Sequence, residues 1–227
     1  MNKKIVAVSI YVFNFLEIGK KLEQLTNSGV NWIHLDIMDG IFVNNYALCQ
    51  KFCSDIREKY KDIKIDIHMM CVESYKYIDS FSKAGANYFN FHYESITDKS
   101  PQHINEIIQK IKNSGMKPIM ALNPETSVNQ IEKYLSLLDG IMCMNILPGF
   151  NGQKLIPESY EKIKNLKDIR EKKSLNYFIM TDGGAREDTY SQICESGADV
   201  IVVGAFVNVE ENKIKEQVDK IQKFKNK

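Results

Sequence analysis

The 227-residue sequence predicts an α/β chain folded as a single (β/α)8, or TIM, barrel over residues 1–227. Three observations lead there. Short apolar runs alternate with longer amphipathic ones eight times, with no linker between them. That is the pattern of parallel strands joined by helical crossovers. The helix-to-strand turns repeat one phrase: Ser28-Gly29-Val30, Ala84-Gly85-Ala86, Ser114-Gly115-Met116 and Ser196-Gly197-Ala198. An open doubly wound sheet, the alternative, would carry a glycine-rich phosphate fingerprint after its first strand, and none follows Tyr11. Units of about 28 residues make a compact barrel.

Residues 5–11 form an apolar first strand. Lys3-Lys4 ahead of it imitates a signal peptide, but the run is short, meets Asn14 and lacks a small-residue cleavage site. Leu16, Ile18, Leu22 and Leu25 give 16–26 a helical period that stops at Asn27-Ser28-Gly29. Strand two is 32–38, followed by a helix over 46–60 that carries Cys49 and Cys53 at core-like i,i+4 spacing. Strand three (63–70) leads to a helix over 73–83, and strand four is 88–93. Ser100-Pro101 is an N-cap and first-turn pair for a helix that ends at Ser114-Gly115. Strands five to eight are 117–122, 140–146, 177–181 and 200–203, with helices over 127–137, 157–172, 186–196 and 210–224.

Composition is ordinary for a globular chain, 44% hydrophobic and 26% charged, so a core of normal size can form. The formal net charge is +1, and the only dense basic run is Lys220, Lys223, Lys225 and Lys227 at a helix end. Nucleic acid is not an expected partner. Five cysteines, odd in number and without C-x-x-C, indicate a reduced, cytoplasmic chain. No apolar stretch approaches the roughly 20 residues that span a bilayer, so a membrane is not expected either.

The chemistry gathers around strand two. Side chains alternate faces along a strand, which puts Ile33, Leu35 and Ile37 on an apolar face and His34, Asp36 and Met38 on the other. An imidazole and a carboxylate about 6–7 Å apart along a strand need partners if buried. A metal ion, a reacting substrate or a hydrogen-bond network would serve. Of four histidines, His34, His68 and His92 lie near the ends of strands two, three and four, while His103 falls in a helix and reads as surface. Asp182 ends strand seven ahead of Gly183-Gly184. In a (β/α)8 barrel the C-terminal strand ends carry function. His34, Asp36, His68 and Asp182 would then meet as a nitrogen and oxygen donor set suited to Zn, Fe(II), Mn or Co. Asp66, with the parity of His68, reads either as a carboxylate orienting a ligand from behind or as a structural salt bridge.

Glycine loops follow strands six to eight: Pro148-Gly149-Phe150-Asn151-Gly152-Gln153, Gly183-Gly184 and Gly204. Backbone N–H groups in such loops bind anions, and loops seven and eight are the frequent phosphate site of these barrels. Met38, Met70 and Met144 lie near strand ends, where they fill core or line a reacting centre.

These residues resemble the ribulose-phosphate 3-epimerase family, which includes D-allulose-6-phosphate 3-epimerase. The resemblance rests on HLDIMDGIFVNN (34–45), DIHMM (66–70), FHYE (91–94), LNPET (122–126), PGFNGQ (148–153), TDGG (181–184) and VVGA (202–205). It implies a ribulose-phosphate-binding barrel with one divalent ion (Zn, Fe(II), Mn, Co or Mg) on His34, Asp36, His68 and Asp182. It implies Asp36 and Asp182 as the acid/base pair and phosphate on Gly152, Gly183, Gly184, Gly204 and Ala205. Ser9 and His68 would contact the substrate, with Gly149, Phe150 and Asn151 beside it. The implied reaction inverts C3 of a ketose phosphate through an enediolate, most simply D-ribulose 5-phosphate to D-xylulose 5-phosphate, in a homo-oligomer. The alternatives are the allulose 6-phosphate reaction and a barrel that binds sugar phosphate without turnover. A related decarboxylase or hexulose-phosphate synthase would need Asp-x-Lys-x-x-Asp at strand three, and Asp66-Ile67-His68-Met69-Met70 has no lysine. Five positions depart from the family pattern: Val8, Asn14, Asn44, Leu147 and Ala205, the last in place of a serine.

Overall fold

A computed structural model describes residues 3–224. Eight parallel strands close into a barrel: β1 (Ile5–Ser9), β2 (Trp32–Asp39), β4 (Lys64–Met70), β5 (Tyr88–His92), β6 (Lys117–Leu122), β7 (Gly140–Met144), β8 (Phe178–Asp182) and β9 (Val200–Val203). The short β3 (Tyr46–Ala47) is not a stave, and it pairs antiparallel with the end of β2. Pairing of β1 with both β9 and β2 completes the ring. The helices are α1 (Ile18–Asn27), α2 (Gln50–Lys59), α3 (Ile78–Lys83), α4 (Pro101–Asn113), α5 (Glu158–Lys172), α6 (Tyr190–Ser196) and α7 (Glu211–Gln222). None is long and apolar enough to cross a membrane.

Four predicted helices differ from what forms, the simplest being 73–83, which runs as a 3-10 segment over Ser74–Tyr77 before α3 begins at Ile78. Residues 46–60 do not run as one helix: Tyr46 and Ala47 pair with Asp39 and Met38 as β3, and α2 starts only at Gln50. Cys49, expected in the core beside Cys53, is the exposed N-cap of α2, and Cys53 alone is buried. Residues 127–137 form two 3-10 segments, Val128–Gln130 and Glu132–Leu137. The buried residues explain this. Val128, Ile131 and Tyr134 are buried at every third position, a spacing that a 3-10 helix presents on one face. The 186–196 helix starts late, at Tyr190, because the Arg186 N–H donates to Thr189 Oγ1 and holds a turn there. Ser100 caps α4 as predicted, its side chain accepting from the His103 N–H. Of the basic C-terminal run, Lys220 and Lys223 pair with Glu187 and Asp219, while Lys225 and Lys227 lie outside the described residues.

Strand alternation sorts the core into two shells. Ile33, Leu35 and Ile37 join Ile65, Ile67, Phe89 and Phe91 in the layer packed against the helices. Fully burying each such side chain contributes about 1.5–3 kcal/mol. The opposite face fills the barrel. At its N-terminal end Trp32 stacks on Tyr88 with centroids 4.4 Å apart, and Phe178 meets both edge-on. That end is therefore a plug. Lys64 and Lys117 cover it over the Trp32 and Tyr88 rings, and the inward-facing histidines and Asp36 lie towards the other end.

Candidate active site

Register brings the polar residues together. His34 lies beside Asp66, and Asp36 beside His68, across the β2–β4 ladder. Neighbours in register share a face, so all four point inward. Asp182 ends β8 and pairs in register with Met144. His34 Nδ1 lies 2.6 Å from Asp66 Oδ2, both groups fully buried. Asp66 thus stands behind His34, not His68, and holds its proton on Nδ1, leaving Nε2 aimed into the barrel mouth. His68 meets a second imidazole on its far side, with a carboxylate at longer range behind that. Its Nε2 is 2.8 Å from His92 Nε2, and His92 Nδ1 is 3.4 Å from Glu94 Oε2. With His92 protonated towards Glu94, its Nε2 accepts from His68, and His68 Nδ1 is left bare. Ser9 Oγ donates to Asp36 Oδ2 at 2.6 Å.

Four donor atoms converge as a result: His34 Nε2, Asp36 Oδ1, His68 Nδ1 and Asp182 Oδ2, all within 4.8 Å of one another. His68 Nδ1 is 3.0 Å from Asp36 Oδ1 and 3.6 Å from Asp182 Oδ2, while His34 Nε2 is 3.5 Å and 3.9 Å from the same two atoms. The two nitrogens are 3.2 Å apart. Ligands bonded tetrahedrally to a first-row ion sit about 3.3–3.6 Å apart, since the bonds are about 2.0–2.2 Å. Two imidazole lone pairs and two carboxylates crowded this closely repel one another unless a cation or protons lie between them. The residues therefore fit a divalent ion.

The electrostatics separate the two carboxylates. Burial pushes Asp36 up, but His34 and His68 outweigh it and hold the group far below the usual carboxylate range. Burial drives Asp182 up to about 7; His34 opposes this and the charges of Asp36 and Asp66 reinforce it. Burial opposes a charge on His34, yet Asp66 and Asp36 carry it well above its usual range. Burial depresses His68 to about 3 and raises Asp66.

Above this floor opens a cleft of about 650 Å³. Its walls hold Ser9, Asp36 and Asp182, the methionines Met38, Met70 and Met144, and loop residues Gly149, Phe150, Asn151, Gly152, Gly183, Gly184, Gly204 and Ala205. His34 and His68 lie beneath it, fully buried. His103 sits apart on α4, half-buried against Tyr75. Gly183 is fixed in kind: its φ is +96°, and an added Cβ would lie 2.4 Å from Ile146 Cγ1. The sequence reading missed Tyr11, Val12, Ile146, Arg186 and Gln217 in the cleft wall. Tyr11 and Val12 directly follow a strand end, a signal that was available. Gln217 on the last helix has none. Asn45 was missed as a brace. Its Nδ2 donates to Tyr11 Oη at 2.7 Å and to the Gly149 carbonyl at 2.8 Å. Of the five departures, Val8 is fully buried towards the helices, Asn14 accepts from the Leu16 N–H, Asn44 is exposed, and only Leu147 and Ala205 line the cleft.

Comparison with known proteins gives the following. Residues 5–208 match the Ribulose-phosphate 3 epimerase family. The chain is 36% identical over 208 residues to the ribulose-phosphate 3-epimerase of Synechocystis sp., covering 91% of this chain and 89% of that one. It is 36% identical over 202 residues to the enzyme of that name from Aquifex aeolicus, with 89% and 88% covered. Similarity to the Bacillus subtilis ribulose-phosphate 3-epimerase is 35% over 203 residues, with 89% and 91% covered. Among solved structures, KGPDC from Streptococcus mutans superposes with a TM-score of 0.72 at 11% identity over 95% of this chain and 97% of that one. At that identity the likeness is one of fold.

Proposed function

Since the chain belongs to the ribulose-phosphate 3-epimerase family and is an isomerase acting on carbohydrates, we propose that it interconverts D-ribulose 5-phosphate and D-xylulose 5-phosphate. The observation that carries this reading is the pair Asp36 and Asp182. They come from β2 and β8, separated around the barrel by β1 and β9, and both face one cleft. One is held ionised and the other keeps its proton to near neutrality. Inverting a carbon next to a carbonyl requires a proton to leave one face and a proton to arrive on the other. An ionised and a protonated carboxylate on two sides of the substrate meet that need.

In the forward direction Asp36 takes the C3 proton and Asp182 delivers one to the opposite face. The roles exchange in the reverse direction. Ser9, by donating to Asp36, fixes which carboxylate oxygen is free to act. A divalent ion held by His34, Asp36, His68 and Asp182 would supply positive charge beside the enediolate as it forms; the mixed nitrogen and oxygen set suits Zn, Fe(II), Mn or Co better than Mg. Asp66 and the His92–Glu94 pair keep the two imidazoles turned the right way. Met38, Met70 and Met144 keep water from the intermediate. The N–H groups of Gly152, Gly183, Gly184, Gly204 and Ala205 receive the phosphate. One catalytic domain spanning the chain, a homo-oligomer and a cytoplasmic setting belong to the same reading. Exposed Leu16, Ile41 and Tyr46 support the second, and five unpaired thiols support the third.

The test is an NMR assay of the metal-reconstituted protein in deuterated water, with ribulose 5-phosphate and allulose 6-phosphate in parallel. Deuterium appears at C3 as the epimer forms, and faster in the ribulose 5-phosphate tube. Faster exchange with allulose 6-phosphate would reassign the substrate to the hexulose. No exchange in either, with metal bound, would leave a sugar-phosphate-binding barrel without turnover.

A further inference from the structure

Among the described residues lining the cleft, Arg186 is the only lysine or arginine. It stands just past Gly183-Gly184, and its backbone N–H donates to Thr189 Oγ1 at 2.9 Å, which fixes where its side chain starts. From there the guanidinium crosses to the loop after β7. Nη2 donates to the Gly152 carbonyl at 2.8 Å and to the Gln153 carbonyl at 3.1 Å. A guanidinium carries five N–H donors in a fixed fork. No hydrogen bond among the described residues uses Nε or Nη1. A cation with donors to spare is therefore held at the rim of the glycine cradle. The loop after β9 on the same cleft presents Ala205, where the family pattern has a hydroxyl. Glu187, the next residue along the cleft wall, is paired with Lys220 at 3.0 Å.

We propose that Arg186 is a substrate-binding residue of this chain, reaching the phosphate monoester with its unused donors and offsetting the hydroxyl that Ala205 lacks. The inference rests on the sugar-phosphate reading above and extends it to one specific contact. Charge-assisted bonds from a guanidinium to phosphate oxygens are about twice as strong as neutral ones. A backbone cradle with this cation should therefore hold a dianion more tightly than the cradle alone. Because phosphate lies remote from C3, the contact is made equally in ground and transition states, and its loss falls on KM more than on kcat.

The experiment measures inorganic phosphate binding by calorimetry to the parent, Arg186→Met, Arg186→Lys and Arg186→Met/Ala205→Ser proteins, alongside ketose kinetics. Arg186→Met should weaken phosphate binding about tenfold and raise KM for the phosphorylated ketose by a similar factor. Arg186→Lys should recover part of the loss, and Ala205→Ser in the Met background another part. The Met substitution should lower kcat/KM several-fold more for the phosphorylated ketose than for the unphosphorylated one. Equal losses on the two ketoses would mean that Arg186 only ties the loops together, which overturns the inference. Unchanged phosphate binding in Arg186→Met overturns it while leaving the epimerase reading intact. A parent protein that binds no phosphate would overturn both.

Discussion

Gly183 and Gly152 form a pair from which backbone strain and steric conflict can be read separately. Both take positive φ, +96° and +81°. An alanine at either position would bear the cost of a left-handed conformation, about 1–2 kcal/mol. They differ in surroundings. A Cβ on Gly152 meets nothing within 4 Å, whereas one on Gly183 would stand 2.4 Å from Ile146 Cγ1, 2.8 Å from its Cδ1 and 3.1 Å from its Cγ2. Ile146 is β-branched and stiff at χ1, and it is buried beside Met144 in the barrel interior. Making room there costs a further 1–3 kcal/mol, roughly that of overpacking a core. Gly183→Ala should therefore lose about 2–5 kcal/mol in urea unfolding and Gly152→Ala about 1–2. Ile146→Ala deletes the three atoms in conflict. In its background the cost of Gly183→Ala should fall to the Gly152→Ala value, a coupling visible in a double-mutant cycle. Equal losses for the two single variants, or strict additivity in the cycle, would refute the assignment of Gly183 to close packing.

Three further outcomes are expected. Asp182→Asn should nearly abolish turnover, and near-normal epimerisation by that variant would end the two-carboxylate scheme. The same variant tests the electrostatics. A carboxyl raised from 3.8 to about 7 contributes stability that is complete below about pH 4 and is lost as pH rises through 7. The melting temperature of the metal-free parent should thus fall between pH 5 and 8 more steeply than that of Asp182→Asn, and parallel slopes would contradict it. Burial pushes Cys53, Cys71 and Cys143 up to about 12 and Cys194 to about 11, while Cys49 is exposed. A thiol reagent should titrate one group quickly in the native protein and five in denaturant; a second fast thiol would contradict the burial of the other four cysteines.

The barrel was legible because its signals are local. Eight strands show as apolar runs, and the turn glycines Gly29, Gly85, Gly115 and Gly197 all adopt positive φ. The site was legible because β2 and β4 carry their functional residues at period two. Parity alone aimed His34, Asp36 and His68 inward, and the parallel register then set Asp36 beside His68. Where the reading failed, the deciding force was tertiary. Nothing within 46–60 announces that Tyr46 and Ala47 will pair with Asp39 and Met38. The i,i+3 spacing of Val128, Ile131 and Tyr134 fits both helix types until the packing selects one. Parity placed Asp66 behind the ligands as expected, and register across the strands decided that it braces His34 one strand over. Arg186 carried no signal beyond its closeness to Gly183-Gly184. Its reach to Gly152 exists only once the loops after β7 and β8 are neighbours.

Asn45 changes how the mouth of this barrel can be altered. Its one side chain joins Tyr11 after β1 to Gly149 after β7 from a position after β2, and Asp39 binds the loop that carries it to the Val72 N–H after β4. Barrels of this class are usually treated as scaffolds whose loops can be exchanged one at a time. Here four loops share two side chains as fasteners. A graft that replaces only the 148–153 segment would put at risk the Gly149 carbonyl that the Asn45 amide uses as one of its two acceptors. Redirecting this barrel to a longer or shorter sugar is thus a problem of transplanting a collar, in which the segments after β1, β2, β4 and β7 travel together.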